Sequence, residues 1–355
     1  MLTPSCAKVN VYLLIFIRIL EGFCEGVTYP CIHSLWMKWA PPLERSKLAT
    51  FAFSGSYVGT VIAFPLSGAL AKTFGWASIF YVFGLLAIVW FFLWWWLVAE
   101  APSDHDTISR EELEYIQQSI GFTQQQVKGQ PVPWRCILTS LPVWAIVFAH
   151  FAENWGFYTL LTELPTFLSD VMHFDVYQAG FAAAAPYLVM AIMIQIGGQI
   201  ADAIRSRNLL STTATRKTFN CTAFLFQTLF FIISVYMTSA KAALTCISLA
   251  VGFGGFAWSG FSVNHLDIAP QYASLLMGLS NTFATIPGMI SPALTGHIAA
   301  DGTKEEWRII FYIAGVIYCC GAVFYGIFAS GERQPWADMQ PGYAAHADEP
   351  AESEE

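Results

Sequence analysis

Charged side chains are scarce in this chain: Asp, Glu, Lys and Arg make up 12% of its 355 residues, whereas soluble domains carry about 25%. A soluble protein so poor in charge would lack the polar surface needed to cover its core. Hydrophobic residues make up 55% of the chain, and they fall in blocks of about 20, which is long enough for a helix to cross a bilayer. The composition therefore excludes an ordinary soluble protein and predicts a polytopic membrane protein.

Motifs that mark several other classes of protein are also missing. No Gly-x-x-x-x-Gly-Lys phosphate-binding loop occurs, which argues against ATP-driven pumping. The eight cysteines form no Cys-x-x-Cys pair and the seven histidines are scattered, so we expect no metal site and no cofactor. No constellation of residues indicates an enzyme, and nothing points to nucleic acid as a partner.

The hydrophobic blocks predict nine membrane spans. Because lipid offers the backbone no hydrogen-bond partners, and the blocks are too long for barrel strands, we expect an all-α protein. The spans are predicted at about 9–31, 50–72, 76–99, 141–168, 177–201, 217–238, 241–264, 272–299 and 307–330.

The polar connections between these spans differ in their basic residues. Eleven Lys and Arg residues lie on the side that carries the first connection after span one, against five on the opposite side. The positive-inside rule makes the richer side cytoplasmic, which places the C-terminus in the cytoplasm. The lysosomal, vesicular and plasma membranes all remain open as locations.

The order of spans and polar segments suggests four regions. Residues 1–99 hold three spans, 100–140 form a cytoplasmic linker, 141–330 hold six spans, and 331–355 read as an acidic, disordered tail. Within the linker, Asp106 or Thr107 is expected to cap a short helix. Helix blocks flanking a central cytoplasmic loop resemble major facilitator transporters, which have two six-helix halves. On that plan the chain lacks the first three of twelve helices.

Two loop motifs strengthen the resemblance. The segment GGQIADAIRSR at 197–207 places Gly198, Asp202, Arg205 and Arg207 at the end of a span, and it resembles the major facilitator signature loop. KWAPPLERSKLA at 38–49 resembles the Pro-x-x-x-Arg connection that follows the fourth helix in that family. A positive-inside anchor would account for the arginines alone, but not for the glycine and aspartate.

A closer resemblance runs along the chain to about residue 337. It is carried by RILEGFCEGVTYP, FAENWGFYTLLTELPTFL, GFSVNHLDIAPQYA, SNTFATIPGMISP and FASGERQPWA. These segments look like the family of sialin, the vesicular glutamate transporters and the type I phosphate carriers. The resemblance implies a carrier of anions, with a small anionic substrate and protons, or else sodium, as its partners in the bilayer.

The first span carries an unusual stripe of charge. On a helix Arg18, Glu21, Glu25 and Tyr29 fall within roughly 80° of one another. A charge at mid-membrane costs roughly 2.5–3.5 kcal/mol, so we expect the stripe to face the bundle interior or an aqueous cavity. Arg18 and Glu21 could simply form an ion pair, but Glu25 then remains uncompensated and is a candidate proton carrier.

The family resemblance gives these residues further roles. It implies that Arg18 binds the substrate anion and that Glu25 couples transport to protons, with Glu21 as its partner or relay. Glutamate at position 21 is typical of the sialin branch, whereas the vesicular glutamate branch typically has glutamine there. That branch also places an arginine where this chain has Glu153, which weakens a carry-over of its substrate site.

Other polar residues are candidates for the site in the second block. His150 and Glu153, three residues apart, could form a buried hydrogen-bonded pair or a second titrating element. Asn154 and Tyr158 are candidate substrate ligands, although Tyr158 is equally suited to helix packing. Asn281 resembles a cavity-facing residue of the family.

The sequence also predicts local structure in two further segments. Pro287 and Gly288 are expected to break the helix that follows Asn281. His265 and Asp267 are expected to fix a cytoplasmic loop rather than to contact substrate.

We therefore predict a secondary active transporter of sialic acid or other organic anions, working as a proton-coupled symporter by alternating access. A sodium-dependent phosphate cotransporter and a vesicular glutamate-type carrier are alternatives with a different driving ion or substrate. A non-functional fragment is a third.

Overall fold

The structure is a computed structural model that describes residues 1–120, 132–174 and 176–337. That part of the chain is helical and contains no β-strand. Its α-helices are α1 Thr3–Val9, α2 Val11–Glu25, α3 Thr28–Trp39, α4 Arg45–Phe74, α5 Ala77–Leu97, α6 Arg110–Ile120, α7 Trp134–Thr139, α8 Leu141–Asp170, α9 Val176–Ser206, α10 Thr212–Tyr236, α11 Ala240–Ala257, α12 Val263–Ile268, α13 Ala273–Ala284, α14 Ile286–Ile298 and α15 Lys304–Phe328.

The long helices have the dimensions of membrane spans. Seven helical segments of the described residues are long and apolar enough to cross a membrane: 45–74, 77–97, 181–206, 212–236, 240–268, 270–298 and 304–328. Of the two other predicted spans, 141–168 corresponds to α8, which has sufficient length at 30 residues but carries several polar side chains. The prediction of an all-α polytopic membrane protein is confirmed.

The first predicted span, 9–31, is not a continuous helix. Helix α2 ends at Glu25 and α3 begins at Thr28 and continues to Trp39. Pro30 explains the interruption, because it has no N–H group and its ring would clash with the carbonyl group of Gly26 in a continuous helix. The predicted C-terminal limit at residue 31 was therefore wrong, and α3 ends just before the Pro41–Pro42 pair.

Two later helical segments also depart from a regular α-helix, one by a break and one by a π-turn. Helix α13 ends at Ala284 and α14 begins at Ile286, with Pro287 in its first turn, which confirms the predicted break. A π-helical turn at Trp258–Ser262 joins α11 to α12. The π-turn lets a single segment, 240–268, change its phase without ending.

The helices that form the bundle fall into two groups, a first group of α1–α5 and a second group of α8–α15, which meet mainly along two contacts. Helix α4 packs along α9, and α3 packs on α13, while α8 lies against α13, α14 and α15. Small residues permit close approach within the second group: a Cβ atom at Gly255 of α11 would lie 2.7 Å from the backbone nitrogen of Ile194 in α9. Helix α2 has no buried residue and packs mainly on α1.

The segments outside the bundle differ from the predictions in detail. Ser109, rather than Asp106 or Thr107, caps α6, because its Oγ accepts a hydrogen bond of 3.1 Å from the backbone nitrogen of Glu112. Tyr115 of α6 donates a hydrogen bond of 2.8 Å to Glu44, and this bond raises the pKa of Tyr115.

The predicted disordered tail begins too early. Residues 331–337 are packed on the bundle: the backbone nitrogen of Gln334 donates to the carbonyl oxygen of Ile268 at 2.8 Å, and Trp336 and Ala337 are buried. Burial of this aromatic side chain offsets the cost of ordering the segment. Apart from Glu332, the acidic residues of the predicted tail lie within 338–355, outside the described residues.

Candidate functional site

A polar cavity lies where the two groups of helices meet, and we call it the interface cavity. It is lined from α3, α4, α8, α13 and the π-turn. The lining residues are Tyr29, Ser56, Tyr57, His150, Asn154, Phe157, Tyr158, Trp258, Met277 and Asn281. Four residues predicted from the sequence, His150, Asn154, Tyr158 and Asn281, therefore line one cavity.

Two of these residues also hold the helix break beside the cavity. Asn154 Nδ2 donates a hydrogen bond of 2.9 Å to the carbonyl oxygen of Ala284, the last residue of α13. The ring of Tyr158 lies against Gly288, where an added Cβ atom would be 3.1 Å from the ring. Asn154 thus binds a carbonyl group that the interrupted helix leaves without an intrahelical partner.

His150 belongs to a buried network with His265. His265 Nδ1 lies 2.9 Å from the carbonyl oxygen of Ser262, which only accepts, so this nitrogen donates. His265 Nε2 lies 2.9 Å from Ser280 Oγ, and His150 Nδ1 lies 3.1 Å from the same oxygen. The Ser280 hydroxyl group donates to the carbonyl oxygen of Met277 at 3.2 Å. The expectation that His265 serves only a loop was therefore incomplete, because this side chain connects α12 to the cavity wall.

His33 of α3, which the sequence analysis did not single out, extends this network to the other group of helices. Its Nε2 lies 3.2 Å from the carbonyl oxygen of Ser262, and its ring lies 5.4 Å from that of His265. Its Nδ1 faces the carbonyl oxygen of Tyr29 at 3.1 Å. The spacing of four residues from Tyr29 places His33 on the same helix face, and this signal was available in the sequence.

Glu153 does not join His150, although the two are three residues apart on α8. Its carboxyl oxygens accept from Gln227 Nε2 of α10 at 3.1 and 3.4 Å. It lines a second cavity, to which Tyr57 of α4 also contributes, whereas His150 lines the interface cavity. The hydrogen bond between Glu153 and His150 that the spacing suggested is not formed.

The charged stripe of α2 lies on the outside of this structure. Arg18 Nη1 and Glu21 Oε2 form an ion pair of 2.7 Å with side chains 55% and 42% exposed, and Glu25 is exposed as well. Of the four residues in the stripe, Tyr29 alone lines the interface cavity. The ion pair is the simple i,i+3 contact that the sequence allowed, and the expected burial of the three charges is not observed.

Both loop motifs meet at one end of the bundle, in a cluster that we call the interlock: Arg45, Asp202, Arg205, Arg216 and Asp267. Arg216 Nε lies 2.7 Å from Asp267 Oδ2, and both side chains are buried. Arg205 lies 4.0 Å from an oxygen of each aspartate. The cluster contains three cations and two anions, so each carboxylate is shared between neighbouring helices.

The interlock joins the two groups of helices through α4. Asp202 Oδ2 accepts from the backbone nitrogen of Lys47 at 2.6 Å, and Arg45 donates to the carbonyl oxygen of Leu266 at 2.9 Å. Arg216 donates to Ser46 Oγ at 2.8 Å. These hydrogen bonds hold α4 against the second group of helices at this end of the bundle.

Gly198 allows α9 to approach α4 closely at the same end of the bundle, because it has no side chain. An added Cβ atom would lie 2.0 Å from Thr50 Oγ1 and 2.9 Å from the carbonyl oxygen of Ser46. Arg207, the last residue of the predicted loop motif, is exposed. Arg45 entered the sequence analysis as the arginine of the Pro-x-x-x-Arg motif, and Arg216 only as one of the eleven basic residues of the connections. Their burial was not predicted, because the partners lie far away in sequence.

The comparisons with known proteins agree with this architecture. The family model for the Major Facilitator Superfamily matches residues 1–292, and the chain belongs to this family. Over 343 residues, 96% of the chain, it is 48% identical to vesicular glutamate transporter 2.2 of Danio rerio, vesicular glutamate transporter 1 of Bos taurus and vesicular glutamate transporter 2 of Homo sapiens.

The matched region covers 58%, 61% and 59% of these three relatives, so the chain spans about three fifths of their length. A bacterial homologue of the iron transporter ferroportin, solved in an outward-facing state, has a TM-score of 0.46 and 13% identity, with 90% of this chain and 91% of that chain covered.

Proposed function

We propose that this protein is a secondary active transporter of small organic anions that works by alternating access. The observation that carries the proposal is the polar interface cavity between two groups of helices, closed at one end by the interlock. A cavity at such a contact is reached from either side when the groups rock against each other. The membership of the chain in the Major Facilitator Superfamily supports the same function.

The similar proteins favour an acidic amino acid as substrate over a sialic acid. All three relatives named above are vesicular glutamate transporters. The cavity offers neutral hydrogen-bonding groups, namely Asn154, Tyr158 and Asn281, and a histidine, His150. Such groups suit a carboxylate that also meets a cation. On our proposal Arg18 of α2, which lies outside the cavity in this structure, supplies that cation when the two groups of helices move.

Proton coupling is the second element of the proposal. Glu25 takes up and releases the proton, with Glu21, which forms a 2.7 Å ion pair with Arg18, as its partner or relay. Glu25 suits this role because it forms no ion pair or hydrogen bond with the described residues. The interlock faces the cytoplasm, in keeping with the positive-inside rule.

Reconstitution in proteoliposomes tests this function directly. An imposed pH gradient should drive uptake of radiolabelled glutamate, with sialic acid and phosphate as competing substrates in the same panel. Replacing sodium by choline at fixed pH should leave that uptake unchanged. Dependence on sodium would favour the phosphate-carrier alternative, and no uptake of any of the three anions would contradict the proposal.

The variant Glu25→Gln tests the proton carrier. It keeps the shape of the side chain but cannot release a proton, so uptake driven by the pH gradient should fall by at least about a hundredfold, which is the lower end of the range for losing a positioned proton-transfer group. Glu163→Gln on α8 is the matched control and should behave as the wild type. Wild-type uptake in Glu25→Gln would show that the proton is carried elsewhere.

A further inference from the structure

Six ring-bearing side chains lie between the interface cavity and the interlock, and we call them the aromatic layer. The first group of helices contributes three of them, and the second group contributes the other three. The members are His33 and Trp36 of α3, Phe53 of α4, Trp258 and Phe261 of the π-turn, and His265 of α12. Each is at most 9% exposed, so the layer is buried from lipid as well as from water.

The order of residues along the helices fixes the position of this layer. On α4, Arg45 belongs to the interlock and Phe53 follows it by about two turns. Tyr57, about one turn beyond Phe53, lines the interface cavity. In the second group, Trp258 lines the cavity, and Asp267 further along the same segment belongs to the interlock. The aromatic layer therefore separates the cavity from the interlock end of the bundle.

Ring contacts within the layer cross from one group of helices to the other. The ring centroid of Phe53 lies 4.7 Å from that of Trp258. On the first group's side, Trp36 meets Phe53 edge-on at 5.1 Å, and on the second group's side Trp258 lies 5.6 Å from Phe261. Tilted and edge-to-face rings at such separations attract one another. The layer is therefore continuous from α3 to the π-turn.

A pair of histidines crosses between the groups beside these rings. The rings of His33 and His265 are 5.4 Å apart in an edge-to-face arrangement, with an interplanar angle of 82°. His33 Nε2 also lies 3.2 Å from the carbonyl oxygen of Ser262 in the π-turn. The two groups thus meet at His33 as closely as they do at Phe53.

We propose that the aromatic layer is the gate of the transport path on the interlock side, an inference that rests on the proposed function. If the two groups rock about the interface cavity, this side opens only when Phe53 and His33 separate from the π-turn and α12. Close-packed rings leave no room for a hydrated anion, and a charged substrate that lost its water among them would meet a large desolvation cost.

The gate and the interlock then have different tasks. The interlock joins the ends of the helices by ion pairs and hydrogen bonds, which hold the two groups in register. The aromatic layer fills the path itself and keeps the substrate and water from crossing. Removal of a ring from the layer should therefore open the cavity even though the interlock keeps all of its charged groups.

Access to the cavity from the interlock end tests the gate without a transport measurement. Met277, which lines the interface cavity and is 1% exposed, is replaced in Met277→Cys. Its reaction with a membrane-impermeant maleimide is followed by peptide mass spectrometry, which separates this thiol from the native cysteines. A C-terminal affinity tag captures proteoliposomes whose interlock end faces outward, because Gln334 binds the carbonyl group of Ile268 at that end.

Two matched substitutions are compared in the Met277→Cys protein. Phe53→Ala should raise the rate of labelling from the interlock end by at least about tenfold, because it removes a ring that the closed arrangement buries and the open one does not. Phe253→Ala is the control: its ring also lies 4.7 Å from a neighbour, Phe226, but both belong to the second group, so the rate should not change. Phe53→Leu, which keeps part of the apolar volume, should raise the rate by a smaller factor.

Cross-linking through the layer is the converse test. In Phe53→Cys/Trp258→Cys, a short bifunctional methanethiosulfonate joins the two groups and should stop uptake. A reductant that cleaves the cross-link should restore the uptake of the untreated variant. Phe226→Cys/Phe253→Cys, which is joined within the second group, should keep its uptake after the same treatment.

Two results would overturn the gate. One is an equal rate of labelling in Phe53→Ala, or in Phe53→Leu if the alanine variant does not fold, and in Phe253→Ala. The other is uptake that persists after the cross-link through the layer has formed. A chain that shows the faster labelling but carries no anion supports the closure and contradicts the proposed function, whereas a chain that carries anions with equal labelling rates contradicts the gate alone.

Discussion

Replacing Asp267 by Asn removes the carboxylate that neutralises the most deeply buried cation of the interlock. Arg216 has no exposed side-chain surface, and its guanidinium group lies 2.7 and 3.4 Å from the two oxygens of Asp267. The variant keeps the size of the side chain but leaves Arg216 as a buried charge. Its remaining partners are Ser46 Oγ at 2.8 Å and the carbonyl oxygen of Ser259 at 2.7 Å.

The expected loss of stability follows from this geometry. Breaking a buried ion pair by removing one partner costs about 3–5 kcal/mol. Since two neutral acceptors remain and Asn can still accept one hydrogen bond, we expect the lower end, about 3 kcal/mol. A loss of stability of that size lowers the melting temperature of a domain of about this many residues by roughly 6 °C or more.

Thermal unfolding of the purified chain in detergent measures the effect, with Asp301→Asn as the control. Asp301 is exposed in the loop before α15, and its replacement should change stability by no more than about 0.5 kcal/mol. The double variant Arg216→Gln/Asp267→Asn should lose less than the sum of the two single variants, because it leaves no unpaired charge. A melting temperature of Asp267→Asn equal to that of the wild type, or strictly additive losses, would refute this account of the interlock.

Two further predictions concern close contacts of glycines. Gly198→Val should weaken the packing of α9 on α4 by about 1–3 kcal/mol, because its Cβ atom would lie 2.0 Å from Thr50 Oγ1. Gly59→Val is the matched control, since a Cβ atom there would have nothing within 4 Å. Equal melting temperatures of the two variants would contradict the predicted clash. Gly156→Ala should destabilise the protein through its clash with Tyr318 Oη at 1.9 Å, and Tyr318→Phe should restore part of the loss, a rescue that would be absent if the hydroxyl group were not responsible.

The sequence alone allowed most of the helices and part of the site to be predicted. Long apolar blocks are informative because a bilayer demands helices of a certain length. Four residues of the interface cavity were found because a polar side chain is rare within such a block and therefore conspicuous. His150, Asn154 and Tyr158 also share a helical spacing that places them on related faces of α8.

Partners across the bundle could not be predicted in this way. Helical spacing shows which face of a helix a residue occupies but not what that face meets. Arg216 pairs with a residue 51 positions away and with another 170 positions away, and Glu153 pairs with Gln227 rather than with its neighbour His150. The stripe of Arg18, Glu21 and Glu25 shows the same limit, since its direction was inferred from a single helix.

The π-turn at Trp258–Ser262 has a consequence for insertions and deletions. The segment 240–268 holds Gly254, which makes room for Glu153 and Gln227, before the turn, and Asp267 after it. A π-turn holds one residue more than a turn of α-helix, so the loss of one residue here would restore a regular turn and leave the residues on both sides on their present faces. The loss of one residue from the regular helix between Gly254 and Trp258 would instead rotate everything downstream by about 100°. Asp267 would then point away from Arg216 while Gly254 stayed in place. The π-turn is thus a place where this segment can shorten by one residue and keep the interlock paired.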